Sequence, residues 1–345
     1  GYEPLHGAGR VGHEVGLTLG AGLDETAFAA LNGHQGVGAV DDYASGDIKW
    51  LVSSPSYDRN SPASDVNENS AYEGVYLNRF FSSTYPPGSV FKIITTAAAI
   101  EEKDDLDQFR YTCTGSLEVG GDVITCPYAH GADMDINQCL ACSCNGAYAT
   151  LAMELGGSTL AKDVEQAGLL DSLNVNGIST AAGSFVAEED GSAYLGWSGV
   201  GQDKDLVNPC SLLAFMGSIA NEGEAVVPNL VGSETIGGTS LPAALPDGKD
   251  TYETYSAETC QRLKEMMRNN VVTEYGQSQF GALAVCAKSG TVEVGGGAEP
   301  HAWFAGFIDD PDHPLAFVVL VENGSAGARV AGSVAAQVLA QATAE

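Results

Sequence analysis

The chain has 345 residues, 44% of them hydrophobic, enough for one large domain or two lobes around a sizeable core. Its 45 acidic residues against 15 basic ones give a net charge of -30. That balance argues against nucleic acid and against docking on anionic lipid, both of which need a cationic surface, and it fits a protein dissolved in a salty or acid-adapted exterior.

Residues 1–10 hold three glycines and a proline without periodicity and read as a linker. The chain opens on Gly1 with no initiator Met and no signal peptide, as expected of a mature or trimmed fragment that has lost an anchor. Residues 15–19 are strand-like, and residues 23–31 suggest a short helix begun by Asp24 and Glu25, acids suited to a helix N-terminus. Two strands follow, 36–41 and 47–52, around a turn at Ser45-Gly46. The Ser-, Pro-, Asn- and Asp-rich stretch 53–69 is loop. Pro86-Pro87 then precedes an Ala-rich helix over 90–100.

Residues 101–249 alternate short helical patterns with loops, clearest as helices at 147–155 and 210–220. An amphipathic helix over 259–272 leads into three strands, 282–294, 302–308 and 315–322, whose short turns favour an antiparallel sheet. The run Ala316-Phe-Val-Val-Leu-Val321 is strand-sized, and no apolar stretch reaches the eighteen residues of a membrane span. An Ala-rich helix over 330–342 closes the chain. The ends therefore read as α/β and the middle as mostly helical.

Three short motifs carry chemistry. Ser89-Val-Phe-Lys92 is the chain's single Ser-x-x-Lys, at a helix start. Residues three apart share a helix face, so Lys92 can reach the Ser89 hydroxyl and act as its base if burial or a nearby cation keeps it partly neutral. Lys288-Ser289-Gly290 offers a cation, a hydroxyl and a residue without a side chain on a strand, so a substrate backbone can come close and a carboxylate can be held. Ser-x-Asn occurs twice, at Ser143-Cys-Asn145 and Ser172-Leu-Asn174. Ser143 is preferred because it stands just before a helix and between the other two motifs. Each motif has a bland reading: a capping serine, a turn, a chance match.

Together they form the set found in penicillin-binding proteins and class A β-lactamases. The sequence resembles class B penicillin-binding proteins in particular. The similarity lies in Asn78-Arg79 with Tyr85-Pro-Pro-Gly-Ser-Val-Phe-Lys92, in Gly46 to Asn60, in Gly201-Gln202 with Asn208-Pro209 and Ala220-Asn-Glu-Gly223, and in Lys288-Ser-Gly-Thr291 with His301 to Phe307. The resemblance implies an α+β fold: a five-stranded antiparallel sheet flanked by helices, plus a mostly helical subdomain. One transpeptidase domain over 11–345 is expected, with an α/β lobe of about 11–95 and 250–345 and a helical lobe of about 96–249. It implies a peptidoglycan D,D-transpeptidase that is acylated by β-lactams and needs no cofactor or metal. Ser89 would attack the penultimate D-Ala carbonyl and Lys92 would take its proton. Ser143 would relay a proton to the departing D-Ala, and Asn145 would hold a substrate amide. Lys288, Ser289 and Thr291 would bind the terminal carboxylate, beside Gly290. Backbone N–H groups of Ser89 and Thr291 would form the oxyanion hole. An extracytoplasmic, membrane-anchored enzyme working with other cell-wall synthesis proteins is implied.

The motif order leaves open a serine β-lactamase or D,D-carboxypeptidase, with Glu188 and Glu189 as candidate positioners of a deacylating water, and a non-enzymatic β-lactam sensor. Eight cysteines are present. Cys113 and Cys126 flank an expected hairpin over 115–125 and could be bridged outside the cell. Cys139-x-x-Cys142 invites a zinc or redox reading, but no second Cys pair or paired histidines accompany it, so buried free thiols are expected for most of the rest.

Overall fold

The computed structural model describes residues 14–20, 29–31, 33–58, 60–202, 204–236, 239–242, 250–294 and 296–344. The expected linker and most of the expected helix over 23–31 lie outside them. Five strands form one antiparallel sheet: β1 (Gly36–Asp42), β2 (Ile48–Ser54), β3 (Val285–Val292), β4 (His301–Ile308) and β5 (Leu315–Val321). Their order is β3-β4-β5-β1-β2, so the N-terminal hairpin completes a sheet begun by the C-terminal strands, and β3 is an edge. All seven residues of β5 are buried. Its unbroken apolar run is what a strand covered on both faces requires.

Six helices matter to the site: α1 (Lys92–Glu102), α2 (Ile136–Ala141), α3 (Asn145–Leu155), α4 (Pro209–Ala220), α5 (Ala257–Asn270) and α6 (Gly327–Ala342). The fully buried α4 starts with Pro209 at its first position and is capped by Asn208, whose Oδ1 accepts from the Cys210 and Ser211 N–H groups. On one sheet face, Leu212, Phe215 and Met216 of α4 share a buried cluster with Phe307, Val318 and Leu320. On the other, Val334, Ala335 and Val338 of α6 share one with Phe304, Phe317 and Val319. Alternate residues of β4 and β5 thus feed two cores, the period-2 logic of a strand.

The helical region lies between β2 and β3 in the chain and differs from expectation in its detail. The hairpin expected over 115–125 is present as Ser116–Val119 with Asp122–Thr125, and a further small β pair, Tyr111–Cys113 with Gly131–Met134, was not expected. The strands of that further pair, three and four residues long, are too short to show a two-residue alternation. The strand expected over 15–19 is Glu14–Leu17, and it pairs with Val231–Ile236 rather than the main sheet.

Candidate active site

The helix expected over 90–100 begins differently. Gly88–Phe91 forms a 3₁₀ turn, and α1 starts at Lys92. A 3₁₀ turn eclipses residues three apart, which stacks Lys92 directly on Ser89. Lys92 Nζ is 3.0 Å from Ser89 Oγ. The turn is fixed from behind by backbone: the Gly88 N–H donates to the Gly201 carbonyl at 2.9 Å. Gly201 has φ +86°, and a Cβ there would lie 2.0 Å from the Gly88 oxygen, so no other residue fits.

The second motif is the elbow between α2 and α3. A reciprocal capping box of Asp135 and Gln138 starts α2. It ends as a Schellman motif: the Cys144 N–H donates to the Cys139 carbonyl at 3.0 Å, and the Ser143 N–H to the Leu140 carbonyl at 3.1 Å. The left-handed position of that motif usually belongs to glycine, and Ser143 occupies it at φ +59°. Such strain costs a side-chain-bearing residue roughly 1–2 kcal/mol and points to a need for the hydroxyl. Ser143 Oγ lies 3.0 Å from Lys92 Nζ and 3.0 Å from Lys288 Nζ. Asn145, the first residue of α3, accepts from Lys92 through Oδ1 at 2.8 Å and donates through Nδ2 to the Thr125 carbonyl at 2.7 Å.

The third motif lies on edge strand β3, where Lys288, Ser289, Gly290 and Thr291 pair with Ala305, Phe304, Trp303 and Ala302. At Gly290 a Cβ would come within 3.1 Å of the Pro87 carbonyl oxygen, so the glycine lets the strand close on the nucleophile turn. Lys288 Nζ also donates to the Ser289 carbonyl at 2.9 Å and to Tyr275 Oη at 3.3 Å. Tyr275 Oη in turn accepts from the Ser289 N–H at 3.1 Å. Tyr275 is a site residue that the sequence did not reveal, because it lies thirteen positions before Lys288 in a π turn and no spacing rule marks it.

Lys92 and Lys288 are both fully buried. Burial, and then the charge of Lys288, holds the Lys92 pKa well below the usual lysine value, and burial lowers Lys288 to about 7. The donor inventory accommodates a neutral Lys92. Four oxygens surround Lys92 Nζ, and two of them, the Ser143 carbonyl at 2.7 Å and Asn145 Oδ1, can only accept. A neutral amine gives its two N–H bonds to those two and turns its lone pair to a hydroxyl. Lys288 has three oxygen neighbours, a match for the three N–H bonds of an ammonium.

A cleft of about 790 Å³ opens over this cluster, lined among others by Ser89, Ser143, Asn145, Gln202, Ser289 and Thr291. The structure thus brings Ser89, Lys92, Ser143, Asn145, Lys288, Ser289, Gly290 and Thr291 to one place. Ser172 is elsewhere: its Oγ donates to the Thr180 carbonyl at 2.6 Å, and it lines a separate cavity with Asp171 and Tyr252. Glu188 pairs with Lys204 at 2.9 Å, and neither it nor Glu189 lines the cleft. All eight cysteines are unbonded. Cys113 and Cys126, expected as a bridging pair, have sulfurs within 4.8 Å of one another, in the company of His130 and Cys144. Cys139 and Cys142 stand apart from that group.

Comparison with known proteins gives the family. The sequence profile of the penicillin binding protein transpeptidase domain matches residues 36–342. The peptidoglycan D,D-transpeptidase PbpA of Mycolicibacterium smegmatis is 31% identical over 324 residues, covering 87% of this chain and 64% of that protein. Its counterpart from Mycobacterium tuberculosis is 32% identical over 304 residues, 82% of this chain and 60% of that one. The chain therefore spans less than two thirds of the length of these curated relatives. Among solved structures, the ceftriaxone acyl-enzyme of penicillin-binding protein A from M. tuberculosis superposes with a TM-score of 0.84 at 25% identity, covering 97% of this chain and 80% of that one. The D,D-transpeptidase domain of a peptidoglycan glycosyltransferase from Eggerthella lenta gives 0.84 at 24% identity, covering 97% and 84%. A profile match running from the first strand of the sheet to the last helix, on this fold, shows that the chain belongs to the penicillin-binding protein transpeptidase domain family.

Proposed function

We propose that this protein is a peptidoglycan D,D-transpeptidase working through an acyl-enzyme on Ser89. The observation that carries the reading is the shared hydroxyl: Ser143 Oγ stands 3.0 Å from both Lys92 Nζ and Lys288 Nζ, while Lys92 also reaches Ser89. A base poised on the nucleophile is thereby wired to a second proton source. Ser89 Oγ attacks the carbonyl carbon of the penultimate D-Ala, and its proton passes to the lone pair of Lys92. Backbone N–H groups of Ser89 and Thr291 hold the oxyanion. When the C–N bond breaks, the leaving D-Ala amine takes a proton through Ser143, resupplied from Lys92. An acceptor amine on a second stem peptide then attacks the ester by the reverse path. Asn145 Nδ2 and the cleft rim hold the donor peptide. The three donors of Lys288 are already engaged inside the protein, so the terminal carboxylate is taken by the Ser289 and Thr291 hydroxyls, with Lys288 supplying the positive field behind them.

A β-lactam presents a strained amide to the same atoms and stops at the ester. Glu188 is tied to Lys204, and neither it nor Glu189 lines the cleft, so neither candidate for positioning a deacylating water is in place, which favours transpeptidase over β-lactamase. Peptidoglycan substrates place the enzyme outside the membrane. No described helix is long and apolar enough to cross one; we propose that membrane anchoring, and contacts with other cell-wall synthesis proteins, belong to the full-length enzyme. Intact-protein mass after mixing with penicillin tests the acyl step. One adduct of full drug mass, mapped to Ser89 and absent from Ser89→Ala, is expected. Labelling that persists in the folded alanine variant, or rapid loss of the adduct as hydrolysed drug, would overturn the proposal.

A further inference from the structure

We propose that Cys113, Cys126, His130 and Cys144 bind one zinc ion, which fixes the elbow bearing the second motif. Their ligand atoms all lie within 4.8 Å of one another. Cys126 Sγ is 3.9 Å from Cys144 Sγ, and Cys113 Sγ is 3.3 Å from His130 Nδ1. Tetrahedral zinc, with Zn–S near 2.3 Å and Zn–N near 2.0–2.1 Å, sets sulfurs about 3.8 Å apart and sulfur from nitrogen about 3.5 Å apart. The two measured pairs sit close to those edges. Three sulfurs and an imidazole also form the donor set of closed structural zinc sites, whereas magnesium and calcium select oxygen.

The four ligands arrive from four pieces of backbone. Cys113 ends the strand Tyr111–Cys113, Cys126 follows the strand Asp122–Thr125, His130 precedes the strand Gly131–Met134, and Cys144 caps α3. Cys113 and Cys144 are buried, and Cys126 and His130 are half-buried at the cleft edge. A Cys113–Cys126 bridge would use two of these groups and leave the convergence of Cys144 and His130 without a purpose. A zinc ion uses all four. Binding releases three thiol protons to solvent: one Zn²⁺, three thiols and a neutral imidazole give a zinc tris-thiolate imidazole centre carrying one negative charge.

The position of Cys144 gives the site its role. It stands between Ser143, held in a left-handed conformation, and Asn145, which both contact Lys92. A metal bond to Cys144 also ties the elbow to the hairpin whose Thr125 carbonyl accepts from Asn145. With four protein ligands the ion keeps no open position for substrate. It positions the elbow and takes no part in acyl transfer.

The test is metal content of the purified protein, read independently of any activity. Wild type should carry one zinc per chain by elemental mass spectrometry. Cys113→Ser and His130→Ala should lose most of it, and Cys139→Ser should keep it. Should those variants fail to fold, cobalt added to zinc-stripped wild type decides: intense sulfur-to-cobalt charge-transfer and tetrahedral d–d bands are expected. Zinc removal should slow penicillin acylation about tenfold, with recovery on adding zinc back. A folded wild type that retains no zinc and gives no tetrahedral cobalt spectrum overturns the site. So does a Cys113–Cys126 disulfide in protein isolated without oxidant. Metal loss without any change in acylation overturns the positioning role.

Discussion

The two walls of the cleft are built by different means. The strand wall, β3 with Lys288 to Thr291, belongs to a sheet covered on both faces, and Phe304, opposite Ser289, is fully buried against Phe280 and Phe317. The elbow wall, Ser143 to Asn145, rests on a capping box, a Schellman turn and a small hairpin whose strands expose most of their residues. The strand wall is held by apolar area, whereas the elbow wall adds a local set of hydrogen bonds to the buried side chains of Ile124, Leu140 and Tyr148. Rigidity at an active site can therefore come from a deep core or from a polar network laid over buried side chains, and here the reacting serine is gripped between the two.

The largest expected effect comes from removing what joins the walls. Lys92→Ala should slow penicillin acylation by about 10²–10⁴-fold in a protein with unchanged circular dichroism. Unaltered acylation would move the base elsewhere. In the unmodified protein, acylation should climb with pH on a limb below the ordinary lysine range, since both lysine pKa values are lowered by burial. Stability should rise in parallel. The unfolded chain holds its Lys288 proton up to about 10.5 and the folded one only to about 7, so the unfolded state binds more protons between those values. The stabilisation is complete above about 10.5 and is lost as pH falls towards 7.

A smaller effect separates the walls by stability. Phe304→Ala should cost about 3–5 kcal/mol in denaturant unfolding, and Ile124→Ala in the hairpin about 2 kcal/mol. Equal losses would show that the hairpin depends on Ile124 as heavily as the strand wall does on Phe304. Smallest is Ser143→Gly, which relieves the left-handed strain and should stabilise the fold by about 1 kcal/mol while acylation drops. A variant that loses stability would show that the hydroxyl holds the elbow together rather than being carried at a cost.

Much of this was legible in the sequence, for reasons that also mark the limits. The sheet strands show as apolar runs, and α4 and α5 as uninterrupted helical patterns. The nucleophile and its lysine were visible because their spacing is local. The 3₁₀ geometry of Gly88–Phe91 was not, since nothing in Ser-Val-Phe-Lys separates a 3₁₀ turn from an α-helical one. Tyr275 reaches Lys288 only through tertiary packing. The sulfur cluster was hidden because its ligands come from separated segments, and the eye settles on Cys139-x-x-Cys142, whose sulfurs face other partners: the Cys139 sulfur the Met134 carbonyl, and the Cys142 sulfur the Met134 sulfur.

The contact between Gly88 and Gly201 has a bearing on inheritance. Where the nucleophile turn meets the helical region, backbone touches backbone, and neither glycine has room for a Cβ: at Gly88 it would lie 2.6 Å from Val292 Cγ2. Descendants of this gene are free to rework the cleft rim, at Tyr194, Trp197 or Glu293, while the seat of Ser89 stays where it is. Altered drug response under selection should accumulate on that rim and leave these two glycines untouched.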